Sequence, residues 1–305
     1  EQQEHTNTPA HRTNQKMRKE ATRKEEEPGQ GSLLRFCFLV LHAEGVVNTV
    51  SGAILLFFPS WSLTKLGLSP ILAAEPLAAD IFRLFGVMCI LIGCIGLTAS
   101  VRRGSVEGLL LGDLTYLGVF YAWIEIVHFG SWTLESIGPS FLLIWFLAAV
   151  RTYWLVYADT PGMSAETRAL KVWYGYAQTV WQLEGWVNLA SALFIASMPD
   201  QFLTSLGIGD VSEHARWMLY WWASLLVIPG VMGLRTYISP DIQKCFLVGD
   251  FLCSFIFYRL ISEYGGWTFG AISSMVTNLV FFPLFRVAFL VASSRQQSPP
   301  HLHQH

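Results

Sequence analysis

The segment EGVVN at residues 44–48 recurs 140 positions later as EGWVN at residues 184–188. Each copy is followed at the same distances by a serine and a proline: Ser51 and Pro59 after the first, Ser191 and Pro199 after the second. Matches that keep their order at a nearly constant offset indicate an internal duplication.

Three further matches extend the duplication through the apolar part of the chain. They are LGD at residues 111–113 with VGD at 248–250, FGSWT at 129–133 with YGGWT at 264–268, and Arg151 with Arg286. We therefore expect two copies of one structural unit, joined by a linker at residues 159–171.

The composition is typical of a membrane protein. Apolar residues make up 52% of the 305 residues and charged residues only 14%, against about 25% charged in soluble domains. The mean hydropathy is +0.41. Eight continuous apolar segments are each long enough to cross a hydrocarbon core of ~30 Å as a helix. They cover residues 34–58, 78–100, 107–128, 138–158, 172–198, 214–238, 244–264 and 268–292.

The sequence therefore predicts an all-α membrane protein whose eight transmembrane helices form two parallel four-helix repeats. The repeats are parallel because four spans per unit return the chain to the same side of the membrane. The expected division is a disordered polar N-terminal tail (1–32), the first repeat (33–158), the linker (159–171), the second repeat (172–292) and a polar C-terminal tail (293–305).

Positively charged residues predict the orientation of these helices. The N-terminal tail and the loops on its side of the membrane hold Arg102, Arg103, Arg168, Lys171 and Lys244. The opposite side has only Lys65 in its loops and Arg216 at a helix edge, and its loops are otherwise acidic or neutral. The positive-inside rule then places both termini in the cytoplasm. We expect a multi-pass protein of the endomembrane system, in the endoplasmic reticulum.

Several function classes lack their sequence signals. The chain has no nucleotide-binding glycine motif, no HExxH, no GxSxG and no aspartate-rich pair for a magnesium–diphosphate site. None of its five cysteines forms a CxxC pair, and no basic stripe lies outside the tail. We expect no metal, no cofactor and no nucleic-acid partner, but contact with the lipid bilayer and with a lipophilic small molecule.

Acidic residues inside the predicted helices form the main candidate site. Glu44 and Asn48 share one helix face, and the repeat reproduces them as Glu184 and Asn188. A carboxylate facing lipid costs roughly 2.5–3.5 kcal/mol, so these acids should face the helix bundle. Equal depth predicts two contact groups, Glu44 with Asp113 and Arg151, and Glu184 with Asp250 and Arg286. Each group is either an ion-pair clamp that fixes helix register or a source of a catalytic proton.

A second candidate lies where the two copies differ. Tyr121, Glu125 and His128 share one face of the third predicted helix. Glu125 is the first choice as proton donor, with His128 as its relay. Glu44, Asp113, Glu184 and Asp250 are the alternative set. The expected substrate contacts are Asn48, Tyr121, Asn188, Tyr258 and Trp221.

Four short motifs carry a resemblance to a known family. They are Glu44-Gly45, Pro59, Leu66-Gly67-Leu68 and Arg83-Leu84-Phe85-Gly86. With these motifs, residues 34–158 and, more weakly, 172–292 resemble the four-helix membrane domain of DoxX-like proteins. In architecture the duplicated chain is similar to the integral-membrane terpene cyclases of fungal meroterpenoid pathways. That resemblance implies intramembrane acids that protonate an epoxide or olefin of a prenylated substrate, in the biosynthesis of a secondary metabolite.

The sequence thus favours an integral membrane enzyme, a metal-independent, acid-catalysed cyclase or isomerase of a lipophilic, prenylated or terpenoid substrate. The alternatives are a protein that binds or transports a lipid or small hydrophobic molecule, and a membrane scaffold subunit. An enzyme should have one cavity lined by acids of one half, a transporter a cavity on the axis between the halves, and a scaffold no cavity.

Overall fold

The computed structural model describes residues 30–65, 75–98, 103–127, 134–158, 172–209 and 211–297, and its regular elements are all helices. In chain order these are α1 (Gln30–Phe57), α2 (Pro59–Lys65), α3 (Pro76–Thr98), α4 (Arg103–Val127), α5 (Leu134–Tyr157), α6 (Val172–Ser197), α7 (Pro199–Ser205), α8 (Glu213–Arg235), α9 (Pro240–Tyr264), α10 (Phe269–Val276), a π-helical turn (Thr277–Phe281) and α11 (Phe282–Gln297). The last three form one continuous stretch. With that stretch taken as one helix, the long helices lie over the eight predicted apolar segments.

Five of the described helical stretches are long and apolar enough to cross a membrane. They are α1, α3, α8, α9 and the stretch from α10 to α11. In α5, residues Leu142–Tyr157 form a shorter apolar helix. The helices α4 and α6 fall outside this set of described stretches and carry acidic residues, Asp113 and Glu184 among them. The chain is a helical, multi-pass membrane protein.

A short helix follows the first long helix of each half. The sequence pattern indicates only a break at Pro59 and Pro199, but each proline begins a seven-residue helix, α2 and α7. Proline suits the first helical position, where its missing N–H would have no partner within the helix. The repeat therefore includes this short element as well as the long helices.

Within each half, the first and second long helices approach closely at glycines. The contacts are Gly45 with Gly93 and Gly96 between α1 and α3, and Gly185 with Gly230 and Gly233 between α6 and α8. A glycine leaves room for the neighbouring backbone, as is common where membrane helices pack. Because the same glycines recur at the repeat offset, the two helix pairs are built alike.

The two halves are interlocked through their central helices. The helices α3 and α8 pack against each other, α4 packs on α8, and α9 packs on α3. Gly112 of α4 lies against Ile228, and Gly249 of α9 lies against Leu91. Both pairs are related by the same offset of 137 residues. The third long helix of each half therefore packs on the second long helix of the other half.

A buried polar network adds to the contact between α3 and α9. The Asp80 carboxylate accepts hydrogen bonds from Arg259 Nε at 3.1 Å and from the Tyr264 hydroxyl at 2.8 Å. Arg83, one turn along α3, also pairs with Asp80. Two guanidinium groups and a hydroxyl thus surround one carboxylate, which satisfies the requirement that a buried charge be paired.

Candidate functional site

The acid–acid–arginine group predicted in the second half is present. Arg286 of α11 donates from Nη2 to Glu184 Oε1 on α6 at 2.6 Å and from Nε to Asp250 Oδ2 on α9 at 2.6 Å. Its Nη1 donates to Gln243 Oε1 at 2.7 Å. These four residues are called the Arg286 cluster below. The contacts expected of Glu184, Asp250 and Arg286 are therefore confirmed.

The first half contains the matching group. Arg151 of α5 pairs with Glu44 of α1 and with Asp113 of α4. Asn48 donates to Glu44 Oε1 at 3.2 Å, one helical turn away. These four residues are called the Arg151 cluster. Both predicted groups therefore form, and each joins the first, third and fourth long helices of its half.

Within the Arg286 cluster, one oxygen of Glu184 has no hydrogen-bond partner among the described residues. Both oxygens of Asp250 accept hydrogen bonds from Arg286, at 2.6 and 3.3 Å. Glu184 Oε1 is similarly used, but Oε2 is buried and has no hydrogen-bond partner among the described residues. Two carboxylates share one guanidinium, so the binding of one proton makes the cluster neutral. Glu184 Oε2 is the oxygen of this cluster that can take up that proton without giving up a hydrogen bond among the described residues.

A cavity of about 300 Å³ lies beside the Arg286 cluster, and we call it the second-half cavity. Glu184 and Asp250 are part of its wall. Phe202, Trp222 and Phe257 form an aromatic row along it, with successive ring centroids 5.9 and 5.7 Å apart. The volume is at the lower end of the range for small-molecule sites, ~300–1,000 Å³. The cavity thus combines carboxylates with aromatic surface.

Polar side chains from two helices line another part of the cavity. This polar wall comprises Asn188 and Ser191 of α6, Ser273 and Ser274 of α10, and Thr277 and Asn278 of the π-helical turn. Asn278 donates from Nδ2 to the Ser274 carbonyl at 2.9 Å. Single π turns inside α-helices are frequent at functional sites. Here the turn carries two of the lining residues.

The Arg151 cluster has much less space beside it. In the described part of the first half, the pocket at Glu44 and Asn48 measures about 20 Å³, room for little more than one water molecule. Several residues that line the second-half cavity also differ from their counterparts in the first copy. Phe202, Phe246, Phe282, Thr277 and Asn278 correspond to Ser62, Leu109, Leu147, Leu142 and Leu143. These five positions distinguish the second-half cavity, whereas Trp222, Phe257, Asn188 and Ser191 have counterparts of the same character in Phe85, Phe120, Asn48 and Ser51.

Phe246 and Phe282 also hold the arginine of the second-half cluster. The Arg286 guanidinium carbon lies 5.0 Å from the Phe246 ring centroid and 5.7 Å from that of Phe282. Contacts of this kind attract the cation to the ring faces. Together with the hydrogen bonds to Gln243, Glu184 and Asp250, they fix the position of Arg286 at the end of the cavity.

The other predicted site residues either lie away from this cavity or have side chains that the structure does not describe. Trp221 is buried among Phe82, Phe85 and Tyr116, with ring centroids about 6 Å apart. Tyr258 is half exposed and contacts the Trp267 ring. Their predicted contact with substrate stays a prediction.

The third-helix candidates cannot be compared with the cavity. Tyr121 and Glu125 lie on the last turns of α4, where the structure describes the backbone but not these side chains, and His128 lies outside the described residues. The role of Glu125 as first proton donor and of His128 as relay therefore also stays a prediction.

Sequence reasoning missed several residues of the second-half cavity and one residue of the Arg286 cluster. Trp222 lines it, whereas the adjacent Trp221 does not. Thr277 and Asn278 were also missed, although two polar residues in an apolar helix, with leucines at the matching positions of the other copy, are a readable signal. Gln243, fully buried against Arg286, has Val106 at the matching position of the first half.

Among the described residues, no group of three His, Cys, Asp or Glu side chains could hold a metal ion. Comparison of the chain with protein-family models, with curated proteins and with solved structures gives no significant match.

Proposed function

We propose that this protein binds a lipophilic small molecule in the second-half cavity and isomerises or cyclises it by proton transfer from Glu184. One observation carries the proposal: of the two acid–acid–arginine clusters, the Arg286 cluster borders a cavity of ligand size. If both clusters only fixed the positions of their helices, neither would require a cavity beside it. An enzyme requires a cavity at its single active site.

The chemistry follows from the residues around that site. Protonated Glu184 donates its proton to a double bond or an epoxide oxygen of the substrate, which leaves a carbocation. The rings of Trp222, Phe202 and Phe257 stabilise the cation and keep water from it. Loss of a proton to the Glu184 carboxylate then gives the isomer and restores the acid, so the step consumes no co-reactant. Prenylated and terpenoid molecules have the required double bonds, and the resemblance to membrane terpene cyclases agrees with this chemistry.

Transport is the less favoured function. A transporter built from two parallel repeats should place its cavity on the axis between them and use both halves equally. The second-half cavity lies to one side of the α3–α8 pair and takes both of its carboxylates from the second half. Val87, Met88 and Leu91 of α3 are the first-half residues that line it.

The test compares two matched substitutions, Glu184→Gln and Glu44→Gln. The protein in lipid nanodiscs is incubated with a panel of prenylated olefins and epoxides, and products of unchanged mass are sought by chromatography. Glu184→Gln should lower turnover by about 100-fold or more, because general acid catalysis contributes ~10²–10⁴-fold. Glu44→Gln should leave turnover nearly unchanged.

Deuterated buffer provides an independent readout. Protonation of a carbon–carbon double bond should leave one non-exchangeable deuterium in the product. Turnover that persists in Glu184→Gln but is lost in Glu125→Gln would transfer the role to Glu125. Turnover that persists in both would contradict acid catalysis by these residues.

We propose further that all eight long helices cross the membrane, with both termini in the cytoplasm and the protein in the endoplasmic reticulum. Asp113 of α4 and Glu184 of α6 pair with arginines inside the protein, so these acids need not face lipid when both helices cross the membrane. Single cysteines near Glu135 and Asp210 should react with an impermeant thiol reagent only from the side opposite the termini. Reaction from the cytoplasmic side alone would contradict this topology.

A further inference from the structure

The second-half cavity is open along the cleft between α6 and the stretch from α10 to α11. The helix α6 packs along α8, but it has no extensive contact with α10, the π-helical turn or α11 among the described residues. In the first half, by contrast, α1 packs against α5. Val187 of α6 both lines the cavity and is 49% exposed. The cavity therefore reaches the protein surface at this cleft.

With α6 taken as a membrane-crossing helix, as proposed above, the mouth of the cleft lies at the depth of the membrane hydrocarbon. Val187 is ten residues before the end of α6, or ~15 Å along the helix, and Thr277 is eight residues after the start of α10, or ~12 Å. The hydrocarbon core is ~30 Å thick. In a membrane-spanning chain, the exposed side of Val187 therefore contacts lipid.

Side-chain contacts join the helices near both ends of the cavity. At one end, fully buried Arg286 joins α6, α9 and α11 through Glu184 and Asp250. At the other end the Thr268 hydroxyl donates to the Ser205 carbonyl, which ties the start of α10 to α7. Phe202 of α7 lines the cavity on that side.

We infer that the second-half cavity is loaded sideways from the bilayer, through the cleft between α6 and α10, by a ligand dissolved in the hydrocarbon. The polar wall on both sides of the cleft selects for a ligand with a polar group on an apolar body, because a purely apolar ligand would leave these groups without partners. The inference rests on the proposed function in taking this cavity as the ligand site and α6 as a membrane-crossing helix.

The test uses a small apolar diazirine that partitions into the bilayer and reacts with nearby residues on illumination. The full chain in nanodiscs is labelled with it, and modified residues are located by mass spectrometry. Cys253 and Phe257 of α9, which line the cavity, should be labelled in the unmodified protein. Val187→Trp should narrow the mouth and lower this labelling several-fold.

The repeat supplies a matched control for this variant. Val47 is the counterpart of Val187 on α1 and is 57% exposed, so Val47→Trp adds the same bulk to an equivalent lipid-facing position. It should leave labelling of Cys253 and Phe257 unchanged. Ser273→Trp, on the opposite side of the cleft, is a second blocking variant in case Val187→Trp fails to fold.

Three results would overturn the inference. They are absence of labelling at Cys253 and Phe257, equal labelling in both blocking variants, and stronger labelling of these residues by a water-soluble diazirine. The experiment needs no turnover, so its outcome is separate from that of the Glu184→Gln assay. A labelled cavity with an active Glu184→Gln variant would keep the lateral route and contradict the proposed catalysis.

Discussion

At the scale of single residues, Arg286 is the side chain on which the second-half site depends. It is fully buried and holds two carboxylates that come from different helices. We expect Arg286→Leu to lower the free energy of unfolding by about 3–5 kcal/mol, because it leaves buried charges without a partner. Arg286→Lys should lose less, since it keeps the charge but lacks the geometry to bridge both carboxylates. Unfolding of the purified protein in detergent measures both.

Arg216 provides the control for this prediction. It pairs with Asp200 at 2.7 Å, but the two side chains are 39% and 50% exposed. An exposed pair contributes ~0–1 kcal/mol, so Arg216→Leu should change stability little. Similar losses of unfolding free energy in Arg216→Leu and Arg286→Leu would show that the buried cluster contributes no more to stability than an exposed ion pair.

The acid–arginine pairing could be predicted because two independent copies place the same residue types at the same depth. The sequence could not predict, however, which of Trp221 and Trp222 lines the cavity. Adjacent residues on a helix point about 100° apart, and both faces of α8 are buried. Which tryptophan meets the cavity depends on how α3 and α4 pack on α8, and the residue pattern of α8 does not contain that information.

At the scale of helices, the glycine contacts set the distance between α6 and α8. A Cβ atom at Gly233 would lie 2.6 Å from Gly185 Cα and 2.9 Å from the Trp181 carbonyl oxygen, both backbone atoms. We expect Gly233→Ala to cost about 1–3 kcal/mol of stability, because the two helices must move apart. The shift would also displace Glu184, so turnover should fall with stability.

Gly118→Ala is the matched control, since a Cβ atom at Gly118 meets nothing within 4 Å. It should be neutral or stabilise by up to ~1 kcal/mol through helix propensity. Thermal unfolding of both variants measures the difference. If Gly233→Ala were as stable as Gly118→Ala, the close approach of α6 and α8 would not be needed for the fold.

The positions of the long helices could be predicted from the apolar segments of the sequence, but two features of the helices could not be predicted from it. The short helices α2 and α7 are too brief for an apolar pattern, and their starting prolines mark a break equally well. The π-helical turn at Thr277–Phe281 adds no residue relative to the first copy, because Tyr264 and Arg286 are as far apart as Phe129 and Arg151. No count of spacing could therefore indicate it.

At the scale of the whole molecule, the sequence predicts two units in a row, and the structure shows that their helices exchange partners. The α9 helix packs on α3 through Gly249 and Leu91, and α4 packs on α8 through Gly112 and Ile228. A repeat in the sequence gives the content of each unit but not which copy's helix fills each position. Pairings across the two copies are equally compatible with the pattern.

The exchange of partners leads to a prediction about separated halves. If the chain is divided within residues 159–171, the α3 helix of the first fragment loses α9, and the α8 helix of the second loses α4. Leu91 and Ile228, 6% and 3% exposed in the intact chain, would then lose their main packing partners. We expect each fragment expressed alone to aggregate or be degraded, and the two expressed together to form a stable complex.

Purification through a tag on one fragment measures this directly, because the untagged fragment should be recovered with it in equal amount. Asp80→Leu should weaken recovery, since it removes the carboxylate that Arg259 and Tyr264 bind across the α3–α9 contact and leaves Arg259 without its buried partner. Lys65→Leu, at an exposed position of the short helix α2, should not. A fragment that alone is monodisperse and unfolds at the temperature of the intact protein would contradict the interlocked arrangement. It would mean that each four-helix unit completes its own core, and that the contacts between α3 and α9 and between α4 and α8 only join two finished domains.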